Sequence, residues 1–262
     1  MPKRVITKDR VGEIRYNTFG TPMKIVEYNK AIDIVIEFQD KHKAKVRTRY
    51  GDFKKGEVKN PYDKSVYGVG YVGEGKYKPK ENGKITKAYD KWHHMLKRCY
   101  DPYELNKYPT YIDCYVCDEW LCFQNFAKWF YKHYYEIPNE IMCLDKDILF
   151  KGNKIYSPEN CIFVNNRINV LFTKRDKLRG KYPIGVSWDK VSNKFIANCR
   201  ILDKENNKKQ INLGRYSSVE EAFLVYKVFK ENYIKQVADE YKELIPQKLY
   251  EALYKYEVEI ND

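Results

Sequence analysis

Two hydrophobic periods divide the chain. Between residues 32 and 38, Ile32, Ile34, Ile36 and Phe38 alternate with Asp33, Val35 and Glu37. Past a polar turn at 39–43, Ala44, Val46 and Thr48 alternate with Lys45, Arg47 and Arg49. A period of two predicts strands. This pair predicts a small β module over about residues 12–58, one side of whose second strand is uniformly cationic. The same period returns late in the chain. Phe195, Ala197, Cys199 and Ile201 alternate with Lys194, Ile196, Asn198 and Arg200, and Ile211 and Leu213 with Gln210 and Asn212. The region between reads at helical spacing. Tyr89, Trp92, Met95, Leu96 and Cys99 form one apolar stripe, and Trp120, Phe123, Phe126, Ala127 and Phe130 form another, with Asp118 as the expected N-cap. Ser218 followed by Glu221 is a capping box. It opens a helix striped with Ala222, Phe223, Val225, Tyr226, Phe229 and Tyr233. Pro246 suits the first turn of a last short helix.

These elements predict an α+β protein in four parts: a β module over 1–62, a stretch over 63–84, a largely helical domain over 85–176, and three strands packed on a helix, with further C-terminal helices, over 177–262. The 63–84 stretch is rich in Gly, Tyr and Lys and reads as a basic linker or an irregular β extension.

Composition changes the picture through charge. Hydrophobic residues make up 43% of the 262, enough for real cores beside 32% charged residues. The formal net charge is +13. Residues 174–215 carry twelve Lys and Arg against four Asp and Glu, so about one sixth of the chain holds most of the excess. A concentration of this kind points to a polyanion, and nucleic acid is the commonest one. The plainer alternative is a Lys-rich face kept for solubility. No run of about 18 apolar residues is present, so no membrane span is expected. The first ten residues lack the apolar segment of a secretory signal. Seven cysteines, an odd number scattered among aromatics, fit a reduced intracellular protein better than a disulfide framework.

Candidate chemistry lies in residues 143–172, CLDKDILFKGNKIYSPENCIFVNNRINVLF. Here Asp145, Lys146 and Asp147 adjoin, with Asn160 and Asn169 downstream. Upstream stand Trp92, Met95, Arg98, Cys99 and Tyr100, then Val116, Cys117, Glu119, Trp120, Phe123, Phe126 and Trp129. Together these residues resemble phage HNH-type homing endonucleases, whose ββα-metal core is a hairpin followed by a helix. Residues 182–230 resemble the APETALA-two/ERF DNA-binding domain that such nucleases often carry. The first resemblance implies a metal ligand at Asp145, a general base at position 146, and completion of the site by Asn160 and Asn169. It also implies Mg²⁺ or Mn²⁺ as cofactor and a host bacterial cell as location. Position 146 departs from the pattern, since a lysine stands where the base histidine is expected. With an ordinary pKa of about 10.4, lysine is a poor base, but it can stabilise charge on a phosphate. Asp147 offers a second carboxylate. One reading is therefore a DNA nuclease, and the other a DNA-binding regulator that has lost the chemistry. A third class is a phage factor that binds a host defence protein.

The remaining candidates are weaker. His93 or His94 could replace the missing base, though a surface or core role is the plainer reading. Cys114 and Cys117 form a C-x-x-C near Cys99 and Cys122, but zinc needs two further ligands in suitable geometry and is not expected. Ser157 and Pro158 read as a helix start.

The second resemblance implies a three-stranded sheet laid in the major groove. Lys190, Lys194, Asn198, Arg200, Gln210, Asn212 and Arg215 are its DNA-facing candidates, with Trp188 on either face by strand parity. Lys174, Arg175, Lys177 and Arg179 precede it as phosphate contacts. Arg47 and Arg49 offer a second cationic surface.

Overall fold

In the computed structural model, which describes residues 9–173, 181–203, 207–260 and 262, the first period-two segments form a four-stranded antiparallel sheet. Its strands are β1 (Ile14–Tyr16), β2 (Pro22–Lys30), β3 (Asp33–Phe38) and β4 (Lys45–Thr48), paired in chain order. Met23, Ile25, Ile34, Ile36 and Phe38 meet Phe53 of α1 (Tyr50–Lys55) in one core. Alternation predicts Ile32 inside, but it falls in the β2–β3 turn, where the chain reverses and no sheet neighbour covers it; it is exposed. Val35, on the side predicted to face out, is buried. The cationic side of β4 faces carboxylates of β3. Arg47 lies 2.9 Å from Asp33, and Lys45 lies 3.8 Å from Glu37. Exposed pairs of this kind contribute about 0–1 kcal/mol, so they neutralise the face rather than hold the sheet. Gly56 closes α1 at φ +75°, and a Cβ there would stand 2.7 Å from the Tyr16 carbonyl oxygen.

Residues 63–84 are tied down by side-chain bonds at both ends. Asp63 accepts hydrogen bonds from Asn17 and Thr21, both at 2.6 Å. Gln124 brackets Tyr77, accepting from its N–H and donating to its C=O. A short hairpin, β5 (Lys80–Glu81) and β6 (Lys84–Ile85), leads to α2 (Lys87–Tyr100), capped by Thr86. Then come α3 (Pro102–Lys107), one 3₁₀ turn, the two-residue strand β7 (Tyr115–Val116), α4 (Asp118–Leu121) and α5 (Phe123–His133). Trp92, Trp120, Phe123, Phe126 and Phe130 form the aromatic interior, and the Trp92 indole donates to the Trp120 carbonyl at 2.7 Å. The second aromatic stripe predicts one helix capped by Asp118. It is two helices, and Cys117 is the N-cap. The break falls at Cys122 because Tyr71 pairs with the backbone on both sides of it. Tyr71 N–H donates to Leu121 C=O, and Phe123 N–H donates to Tyr71 C=O.

The chain forms two compact units, 1–132 and 133–262. The second begins with β8 (Met142–Asp145), β9 (Ile155–Tyr156), β10 (Ile162–Asn165) and α6 (Asn166–Leu171). β8 and β10 pair antiparallel, with Asp145 opposite Ile162. α6 follows β10 directly, and the Asn165 side chain caps it by accepting from Ile168 N–H. The hairpin-plus-helix arrangement is present. Ser157 and Pro158, however, start no helix. They form a turn closed by Cys161 N–H on Ser157 C=O, because the chain must then enter β10.

The rest of the unit is a three-stranded antiparallel sheet, β11 (Val186–Asp189), β12 (Lys194–Leu202) and β13 (Lys208–Tyr216), covered by α7 (Val219–Glu240) and followed by α8 (Gln247–Tyr254). Ser218 caps α7 through Glu221 N–H at 3.1 Å, and the Glu221 carboxylate takes Ser217 N–H. Val186, Ala197 and Cys199 pack on Ala222, Phe223 and Tyr226. Arg167 of α6 is 5% exposed and reaches Glu240 of α7 at 2.6 Å. Among the described residues no helix is long and apolar enough to cross a membrane.

Candidate functional site

The hairpin site is built on the end of β8. As the strand stops, the Asp145 Oδ1 accepts the N–H groups of Asp147 at 2.9 Å and Ile148 at 2.8 Å. These bonds turn the chain and fix the carboxyl. Burial pushes its pKa up to about 6, and the like charge of Asp147 adds to the rise, while the two backbone bonds oppose it. Lys146 is buried, with its ammonium 3.3 Å from Asp147 Oδ2 and 5.9 Å from the centre of the Tyr156 ring.

Asn153 ties the loop together, a role the sequence reading missed. Its amide donates to the carbonyls of Lys146 at 2.7 Å and Ile155 at 2.8 Å. Its oxygen accepts from the Asn160 amide at 3.1 Å. Asn160 therefore braces the hairpin and does not bond to Asp145 directly. Asn169 stands on α6, and among the described residues its side chain makes no hydrogen bond to the loop. The one available signal for Asn153 was its Gly-Asn turn position.

Among the described residues no group of three His, Cys, Asp and Glu side chains is set to hold a metal ion. The donor set at the hairpin nevertheless suits a hard divalent cation, which binds through one or two carboxylates and otherwise neutral oxygens. Asp147 adds to the cost of charging Asp145, and a bound cation would relieve that cost. His93 and His94 lie in the first unit. His93 packs against Tyr67 and Tyr89, and His94 lies 3.3 Å from Asp90.

The second candidate surface is the outer side of β11–β13. Register places Lys194, Asn198 and Arg200 of β12 on it, with Gln210 opposite Arg200, Asn212 opposite Asn198, and Arg215 opposite Ile196. A bulge between Ala197 and Asn198 keeps both halves of β12 in phase with β13. Arg215 is held at 3.1 Å by Asp189, whose carboxyl stays below the usual range through bonds from Ser192, Val191 and Arg215. The Asn212 oxygen is taken by Gly214 N–H, which leaves its amide hydrogens outward. Trp188 is elsewhere. It shares a side with Val186 and meets Phe195 edge to face at 4.7 Å, so it belongs to the hydrophobic side of the sheet. Lys190 lies at the exposed tip of the β11–β12 hairpin. Arg47 and Arg49 are exposed on the first unit, Arg47 in its pair with Asp33. Lys174, Arg175, Lys177 and Arg179 lie outside the described residues.

One charged residue of the second unit escaped the sequence reading. Lys230 sits on the buried stripe of α7, between Tyr226 and Tyr233, and is 8% exposed. Its spacing from those tyrosines, four residues and three, was the available signal. Compared with known protein families, curated proteins and solved structures, the chain matches none.

Proposed function

We propose that the protein binds double-stranded DNA through the outer side of β11–β13 and cleaves or nicks it at the Asp145 hairpin. The observation that carries the reading is the division of one small sheet into two faces. One is a core packed on α7. The other bears Lys194, Asn198, Arg200, Gln210, Asn212 and Arg215 in register. A sheet of this width fits the major groove, where Arg pairs bidentately with guanine and Asn or Gln with adenine. Lys190 and Lys194 then meet phosphates.

At the hairpin, Asp145 would hold Mg²⁺ or Mn²⁺, with Asp147 and Asn160 as further oxygen donors. The bound cation supplies Lewis-acid stabilisation of the phosphate and a more acidic water. The chain's own residues do the remaining work. The Lys146 ammonium balances Asp147 and faces charge developing on the phosphate. Asn153 and Asn160 keep the loop from relaxing. The Asp147 carboxylate accepts the proton of the attacking water. A second reading, a DNA-binding protein without cleavage, is favoured by one observation: Lys146 is buried against Tyr156 in the base position.

Binding is tested by mobility shift in EDTA on a randomised duplex pool. Arg200→Ala is expected to weaken selected duplexes by about 1–3 kcal/mol and to relax preference at one position. Lys194→Ala should weaken all duplexes alike and lower the salt slope by about 0.9. A protein that retards no duplex at low salt overturns the reading. So does one whose binding ignores both substitutions.

A further inference from the structure

The second unit holds a groove that the hairpin site does not use. β11 pairs with β12 only as far as Ala197, so the later half of β12 has an open edge. Two residues facing that edge are satisfied. Asn198 N–H donates to Gly185 C=O, and the Tyr233 hydroxyl bonds both N–H and C=O of Leu202. Arg200 stands between them, and its carbonyl receives the Cys199 thiol at 3.7 Å. The groove that opens here has about 450 Å³ of free space, within the size range of small-molecule sites. Val170, Ile184, Val186 and Leu202 give it apolar walls, and Asn198 and Gln210 bring side-chain amides.

Its charge is one-sided. Arg200, Lys208 and Lys230 line it, and no described lining residue is acidic. Lys230 is the telling group. Among the described residues no hydrogen bond or ion pair reaches its ammonium, and the Tyr233 ring centre lies 6.0 Å away. Burial lowers its pKa, and the nearby Cys199 opposes that shift. An ammonium on a buried side chain that opens only onto the groove is poorly hydrated, which is costly. A ligand anion reaching the groove would remove that cost.

We propose that this groove binds a nucleoside monophosphate, its phosphate among Lys230, Arg200 and Lys208 and its base against the apolar wall. Three cations match a phosphate dianion better than a single carboxylate. The two amides and the Arg200 peptide group offer donors and acceptors to a base edge, which an acyl chain would leave unpaired. The nucleotide is either free or unstacked from a nucleic acid. The inference shares Asn198, Arg200 and Gln210 with the DNA-face reading but does not need it, since a free nucleotide fills the groove with no duplex present.

The test is isothermal titration of the full chain with AMP, CMP, GMP, dTMP and inorganic phosphate, in EDTA. At least one nucleotide is expected to bind about tenfold or more tightly than phosphate. Lys230→Met should weaken it about tenfold or more, with the melting temperature kept or raised, because a poorly hydrated charge is replaced by an apolar chain. Arg200→Gln, a surface change, repeats the test if Lys230→Met fails to fold. A second arm uses duplexes carrying 2-aminopurine. A fluorescence rise that free nucleotide competes away assigns the source to an unstacked nucleotide, and nucleotide binding without that rise assigns it to the free species. Either result supports the groove. No nucleotide binding at about 1 mM together with no fluorescence rise overturns it, as does binding unchanged in both variants.

Discussion

Asp145→Asn is expected to abolish DNA cleavage and, in EDTA at pH 8, to make the protein more stable. The two effects share a cause. The folded protein holds the Asp145 proton with a pKa of about 6, against 3.8 ordinarily. A carboxyl whose folded pKa is raised adds its full contribution below the ordinary value and loses it as pH rises through the folded value. Above pH 6 the charged carboxylate therefore costs stability, by about 2–3 kcal/mol for a rise of this size. Asparagine stays neutral, and its oxygen still accepts the N–H groups of Asp147 and Ile148. The variant should gain about 2 kcal/mol at pH 8 and nothing at pH 4, read from urea melts in EDTA. With Mg²⁺ or Mn²⁺, loss of an anionic ligand worth several kcal/mol should slow plasmid nicking about 10³-fold. Mobility shift should be unchanged. Nicking at the wild-type rate in this variant removes the nuclease reading, as does a wild-type protein that binds plasmid and never nicks it.

Glu240→Ala is expected to cost about 3–5 kcal/mol, because it leaves a buried guanidinium without its carboxylate. Arg167 is 5% exposed, its Nε has no hydrogen-bond partner, and Glu240 at 2.6 Å is its charge partner. The Tyr241 ring, 5.7 Å away, offers a weaker contact. The loss should lower the melting temperature by roughly 10 °C or more. The double variant Arg167→Met, Glu240→Leu removes both charges and should recover most of the loss. A single variant within 1 kcal/mol of wild type would mean that water reaches the guanidinium and that the pair does not tie α6 to α7.

Sequence period carried the C-terminal sheet well. Alternation along β12 and β13 put Arg200, Asn198, Gln210 and Asn212 on one side, because one buried face leaves no freedom of register. The Ser218 cap was legible because capping is a local bond. Long-range contacts were not legible. The helical stripe runs through Cys122 without a break, yet Tyr71, some fifty residues earlier, claims the backbone on both sides of it. The Ser-Pro turn reads as a helix start until the pairing of β10 with β8 draws the chain away. The alternation around Arg47 showed a cationic strand face, but the cross-strand carboxylates that neutralise it follow only from register. At the hairpin, Asp145 and Lys146 could be named from their order, whereas the bracing by Asn153 depends on a loop closing upon itself.

The bond from Tyr233 to Leu202 has a consequence for how the last module opens. A helix side chain completes the hydrogen bonding at the end of a strand. The amide of Leu202 is therefore shielded by α7, and its exchange with solvent is expected to follow the lifting of that helix from the sheet. Strand and helix then open together, and the exchange rate at that one amide reports how often the pair comes apart.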